Sequence, residues 1–261
     1  MALVMRRHAL LGAGGLLFAP RRGSAQSTTI HVMTSGAFTE PYRILGPRFE
    51  AATGHHLASA FGASMGQAPD AIPQRLNRGE PADIVILARG ALDALVAAGH
   101  MRPGSEVDLV HSAIAMAVRT GTPHPPIGTV DGLRQALLNA RSIGYSASAS
   151  GVYISTEMFQ RLGITEQMQG KAHRILSERV GSVVARGDVE IGFQQVSELL
   201  PIPGIEIVGP LPALVQRMTT FSAGIGTRSQ QPAAGLALIR FLAGPDARQV
   251  VRDAGLEPVA G

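Results

Sequence analysis

Four short segments of this chain combine small residues with a glycine, and three of them carry hydroxyls as well. They are Thr34-Ser35-Gly36-Ala37, Ala63-Ser64-Met65-Gly66, Ala88-Arg89-Gly90 and Ser146-Ala147-Ser148-Ala149-Ser150-Gly151. Each follows a short apolar run and precedes a longer amphipathic one, so each reads as a turn that opens a helix. Free backbone N–H groups and the positive end of a helix dipole make such a turn a natural seat for an anion. Serine hydroxyls donate further hydrogen bonds without adding charge. Helix capping alone explains any one of these turns, but four in succession point to a shared anion site. Ser35, Gly36, Ala37, Ser64, Met65 and Ser148 are its candidate residues.

Arg89 directly follows the apolar run Ile84-Val85-Ile86-Leu87, where it could fork onto a carboxylate; an ordinary surface arginine is the plain alternative. Gln194, after Ile191-Gly192-Phe193, offers an amide at a strand end, and Gln195 beside it does the same. Tyr153 is a candidate hydroxyl donor in the first turn of its helix, with burial as a core aromatic as the competing reading. No catalytic base stands out: Tyr42, His111 and Glu40 are weak candidates whose ordinary roles are core or surface.

Other chemistries are excluded by what is missing. The chain has no cysteine, which removes disulfides, thiolate metal sites and a cysteine nucleophile. Its eight histidines show no ligand spacing: His55 and His56 are adjacent and His124 sits in a proline loop. Neither a metal nor a cofactor is expected. No dinucleotide fingerprint, phosphate-binding loop or nucleophile elbow occurs, and Ser35, Ser64 and Ser148 have no evident His-Asp team.

The elements that must position these turns alternate along the chain. Thr29–Met33, His56–Phe61 and Asp83–Leu87 read as strands, with helices over 40–53, 71–78 and 90–98 between and after them. This βαβαβα order argues for a parallel sheet flanked by helices. Further strands are expected over 112–118, 142–145, 190–193, 205–208 and 221–226, with helices over 130–140, 151–162, 233–241 and 246–254. In open sheets of this kind, ligands bind beyond the carboxyl ends of the strands, which is where the four turns fall. The chain divides into two α/β lobes, 26–110 with 218–261 and 111–217, the second inserted into the first.

At 261 residues, 45% hydrophobic and 16% charged, the chain is long enough for two cores and too apolar for disorder. Its net charge of +4 comes from Arg6, Arg7, Arg21 and Arg22. Without those four, the 23 basic residues fall to 19, equal to the 19 acidic ones, so no nucleic-acid partner is expected. The same arginines flank the apolar run Ala9–Pro20, followed by Gly23-Ser24-Ala25. This reads as a twin-arginine-like signal peptide over residues 1–25, cleaved near Ala25, and predicts an exported, periplasmic protein.

Thr34-Ser35-Gly36-Ala37, Phe61-Gly62-Ala63-Ser64, Gly79-Glu80-Pro81-Ala82-Asp83-Ile84-Val85-Ile86 and the closing Phe241-Leu242-Ala243-Gly244-Pro245-Asp246-Ala247 resemble the periplasmic molybdate-binding protein family. The resemblance runs over essentially the whole mature chain and is strongest in 28–100 and 219–258. It implies a type II solute-binding fold, two α/β lobes closing over a small anion, with an ABC transporter as partner. It also implies that Ser35 and Ser64 are ligand serines and that Gly151-Val152 supplies a backbone donor from the second lobe.

The sequence departs from that family's pattern at two points. The tyrosine expected late in the second lobe is replaced by Phe193-Gln194-Gln195, and Arg89 adds a charge that a molybdate site does not need. Both departures favour an organic polycarboxylate. The broader family includes bacterial aconitate isomerase, so two functions stand. The leading one is a binding protein that captures a small oxyanion or polycarboxylate for import. The alternative is a cofactor-independent isomerase that interconverts cis- and trans-aconitate by allylic proton transfer.

Overall fold

The computed structural model describes residues 27–259; the expected signal peptide lies outside the described residues. The chain begins with β1 (Thr29–Ser35), α1 (Thr39–Thr53), β2 (His56–Gly62), α2 (Ile72–Asn77), β3 (Ile84–Ala88) and α3 (Arg89–Ala97). β3 is apolar at every position and wholly buried, as befits a strand covered on both faces. α1 buries Tyr42, Leu45 and Phe49 at helical spacing and ends at Gly54, whose φ of 74° is the left-handed conformation of a glycine C-cap.

β4 (Val107–Ser112) closes this first run, and β5 (Ile114–Arg119) begins in a different sheet after the single residue Ala113. There follow α4 (Val130–Asn139), β6 (Ile143–Ser146) and α5 (Ala149–Tyr153), which continues through a π turn at Ile154–Met158 into α6 (Phe159–Arg161). Then come α7 (Thr165–Met168), β7 (Ala172–Ile175), α8 (Val180–Arg186), β8 (Ile191–Gln195), α9 (Val196–Leu199) and β9 (Ile205–Pro210). The chain returns to the first sheet with β10 (Thr219–Ile225), α10 (Pro232–Ala243), α11 (Arg248–Asp253) and β11 (Glu257–Pro258).

The first sheet has the order β11-β4-β10-β3-β1-β2 and the second β7-β6-β8-β5-β9. β1 pairs in parallel with β2 and β3, and β6 in parallel with β7 and β8. The sheets are nevertheless mixed, not wholly parallel. β10 runs against β3 and β4, and β5 against β8 and β9, because these are the strands that arrive from the other lobe. The strand expected over 112–118 is β5, while β4, which precedes it across Ala113 in the other sheet, was not expected.

Each sheet has its own core. Ile30, Val32, Phe38, Leu45, Phe49, Ile84 and Ile86 pack in the first lobe, and Ile114, Met116, Leu133, Leu137, Met158 and Phe193 in the second. The two crossings lie side by side. The side-chain amide of Gln216 accepts from the Ile114 backbone N–H (3.0 Å) and donates to the Ile114 carbonyl (2.9 Å), as a neighbouring strand would.

Candidate functional site

The carboxyl ends of β1 and β2 in one lobe face those of β6, β7 and β8 in the other across a cavity of about 240 Å³. Ligand sites for drug-sized molecules run to roughly 300–1,000 Å³, so this one suits a smaller guest. The lobes are close together here: a Cβ on Gly66, after β2, would come within 3.2 Å of the Ala147 carbonyl oxygen after β6.

Six of the residues singled out from sequence line this cavity: Gly36, Ala37, Ser64, Ser148, Gln194 and Gln195. Ser64 is buried and its hydroxyl accepts from the Ala88 backbone N–H at 3.1 Å, which ties the β2 loop to the end of β3. Ser148 forms the N-cap of α5. Ser35 precedes the lining residue Gly36; the residue is 1% exposed and its hydroxyl, like those of Thr34 and Ser197, has no hydrogen-bond partner. A buried hydroxyl in that state is uncommon and calls for a partner.

The other expected residues lie elsewhere. Arg89 is not in the lining: its guanidinium donates to Asp93 (2.8 Å) and Asp108 (2.9 Å), clamping α3 to β4. Burial alone would push the Asp108 carboxyl up, but hydrogen bonds from Ser222 and Arg89 hold it below the ordinary range. Tyr153 is a core residue of the second lobe, and its hydroxyl donates to the Val215 carbonyl at 2.6 Å. Met65 packs against the first lobe's Met33–Leu92 cluster, and Val152 is 40% exposed outside the lining.

Gly151 serves packing: a Cβ there would lie 1.6 Å from the Ser146 carbonyl oxygen, so its absence lets α5 seat against β6. The helix starts at Ala149, two residues before the expected start. The second lobe therefore meets the cavity through Ser148, Ala149 and Ser150, in place of Gly151 and Val152. Gln195 reaches the lining but acts at the crossings. With its amide turned to match its neighbours, the nitrogen faces the Ala113 carbonyl (3.1 Å) and the Ser112 hydroxyl (2.8 Å), and the oxygen receives the Thr219 hydroxyl (3.0 Å).

Sequence reasoning missed Arg43, Arg179 and Glu198. Arg43 lies over the Phe61 ring, 5.3 Å from its centroid. Arg179 crosses between the lobes to pair with Glu40 of α1 at 2.8 Å. Glu198 is partly exposed as a residue, yet its carboxyl end is enclosed against the backbone of Gly36, where a Cβ would fall 1.9 Å from Oε1. Gln194 donates to Glu198 Oε1 at 2.9 Å and receives the Val180 backbone N–H at 2.8 Å. Burial pushes the Glu198 carboxyl up to about 7, against the opposing pull of Arg179, Gln194 and the Gln195 backbone. The Gln194-x-x-x-Glu198 spacing just after a strand was the available signal.

The earlier base candidates fare differently. Tyr42 is pushed up to about 12 by burial and shares a 2.6 Å hydrogen bond with Ser59 outside the lining. His111 is bonded to Thr220 at 3.0 Å, also outside it. Glu40 is committed to Arg179 and Arg43.

The family model for bacterial extracellular solute-binding proteins matches residues 30–257. Among curated relatives, an aconitate isomerase of Pseudomonas sp is 46% identical over 251 residues, 95% of this chain and 96% of the relative. The molybdate-binding protein of Azotobacter vinelandii is 25% identical over 257 residues, 94% of each chain. In solved structures, the periplasmic molybdate-binding protein of the same organism superposes with a TM-score of 0.70 at 20% identity, covering 89% of this chain and 99% of that one. The sulfate-binding protein SubI of Mycobacterium tuberculosis gives 0.72 at 17% identity, covering 89% and 87%. These likenesses establish the two-lobed type II binding-protein fold. With residues 30–257 matched in this way, the chain belongs to the bacterial extracellular solute-binding protein family, in the molybdate-binding-like group that includes aconitate isomerase.

Proposed function

We propose that this protein is an exported isomerase that takes an unsaturated tricarboxylate into the cleft between its lobes and interconverts cis- and trans-aconitate without a cofactor. The observation that carries this reading is the pair of arginines, Arg43 and Arg179, which share Glu40 and line a small cavity of hydroxyls, small side chains and the three acids Asp70, Glu178 and Glu198. A tetrahedral oxyanion held by neutral dipoles has no use for two such cations. A polycarboxylate does, because each carboxylate can accept charge-assisted hydrogen bonds worth roughly 1.5–3 kcal/mol apiece. The same cations stabilise the charge that develops when a carbon between carboxylates loses a proton.

The 46% identical relative named aconitate isomerase supports the same chemistry. Arg89, the cation expected from sequence, plays no part; Arg43 and Arg179 take that role. Signal-peptide removal near Ala25 delivers the chain to the periplasm.

The second reading is capture of a small oxyanion for an ABC transporter. The serine-rich lining and the unpartnered Ser35 hydroxyl favour it. Incubating the purified protein with trans-aconitate and following the two isomers by proton NMR tests the first reading. Conversion to the cis isomer without added cofactor is expected. No conversion, together with a large thermal shift from molybdate, would replace it with the second.

A further inference from the structure

We infer that Glu198 is the catalytic residue that carries the migrating proton, on one face of the bound tricarboxylate; this rests on the isomerase reading. The geometry singles it out. Its carboxyl stands in the cavity where the end of β8 meets the loop after β1, with Gly36 of the opposite lobe so close that no side chain fits between them. Gln194 fixes one oxygen at 2.9 Å and is itself anchored through Val180, so the acid is oriented by the sheet that bears it.

The charged groups around it are few. Arg179, on the β7–α8 loop, is the cation that acts on it and is shared with Glu40 of α1. Gly36 and Gln194 contribute no charge. Elsewhere in the lining stand Arg43, Asp70 and Glu178. Glu178 is held by both terminal nitrogens of Arg186, at 2.9 and 3.0 Å, and so is committed to a structural pair. Burial brings Glu198 to about 7, the range in which a general acid–base group works in both directions near neutral pH.

The step balances with this one group. The Glu198 carboxylate takes a proton from the methylene carbon of bound aconitate. The electron pair of that C–H bond becomes a double bond to the central carbon, and the former double-bond pair moves to the far terminal carbon. That carbon takes the proton back from the Glu198 carboxylic acid. The double bond has moved by one position, the carboxylate is restored, and no oxidant, reductant or cofactor is consumed. Between the two transfers the negative charge is spread toward the substrate carboxylates, within reach of the arginines.

The test compares wild type with Glu198→Gln, Glu198→Asp and Asp70→Asn as purified full-length chains, using isomerisation rate by NMR and calorimetric affinity for trans-aconitate. Glu198→Gln is expected to lose about 10³-fold in kcat while its affinity stays equal or rises, since one negative charge has gone. Glu198→Asp keeps the acid but withdraws it from Gly36, and is expected to lose about 10²-fold. Wild-type kcat/KM should rise with pH through about 7, as the base must be ionised. Full activity in Glu198→Gln or Glu198→Asp, or loss confined to Asp70→Asn, would overturn the assignment while leaving the isomerase reading intact. A wild-type protein inert toward both aconitates would overturn both.

Discussion

Exchanging Glu198 for glutamine changes stability as well as rate, and the two effects have opposite signs. In the folded protein, burial raises the carboxyl from its ordinary 4.5 to about 7. The folded state therefore binds more protons than the unfolded state between those values, and stability falls as pH rises through that window. Below 4.5 the group is neutral in both states and costs nothing. Above 7 it is ionised in both, and the full penalty applies.

At about 1.4 kcal/mol per pK unit, that penalty is about 3 kcal/mol before solvent is considered. Water entering the cleft lowers it to about 1–3 kcal/mol. Glutamine keeps the shape and the Gln194 contact but never ionises. The variant should therefore be more stable than wild type by about 1–3 kcal/mol at pH 8, and the gap should narrow to under about 1 kcal/mol at pH 5. Urea denaturation at the two pH values reads this directly. Thermal unfolding gives a second measure, since each kcal/mol moves Tm by about 2–4 °C in a chain of this size. A gain equal at both pH values, or no gain at pH 8, would refute the enclosed carboxyl on which the argument rests. A site that costs stability in this way is typical of groups retained for function.

Other perturbations follow from the same geometry. Arg89→Ala should leave affinity for trans-aconitate within twofold and cost less than about 1 kcal/mol, because its ion pairs with Asp93 and Asp108 are exposed; a tenfold loss of calorimetric affinity would return Arg89 to the site. Gly36→Ala inserts a methyl 1.9 Å from Glu198 Oε1 and should displace the acid, lowering kcat by about 10²-fold with Tm little changed; unaltered kinetics would contradict the close approach. Tyr153→Phe leaves the buried Val215 carbonyl unpartnered and should cost about 1–3 kcal/mol in urea denaturation without changing affinity; weakened binding with intact stability would make Tyr153 a ligand residue after all.

Much of the first lobe was legible because its information is local. The turns at Gly36 and Ser64, like that at Ser148 in the second lobe, each follow a strand whose apolar run is visible in the sequence, and strand ends of this kind face the ligand. What was not legible depends on distant partners. Glu198 gains its character from Gly36, more than 160 positions away, and from burial that no window of sequence displays. Arg179 sits in a segment with weak periodicity, and its pairing with Glu40 exists only once the lobes meet. Arg89 misled for the converse reason: it stands at the right strand end, but Asp93 and Asp108 claim its guanidinium. The mixed sheets escaped notice because strand direction in β5 and β10 is set by the path between lobes, not by residue pattern.

The crossings carry a mechanical consequence. One tether between the sheets is a lone residue, Ala113, and the other, over 211–218, is bound to it through the Gln216 amide on Ile114. Paired this way, the two tethers cross between the sheets as one two-stranded connection. A guest that touches both halves of the cleft bears on that connection, and with it on the distance between Glu198 and everything the first lobe holds.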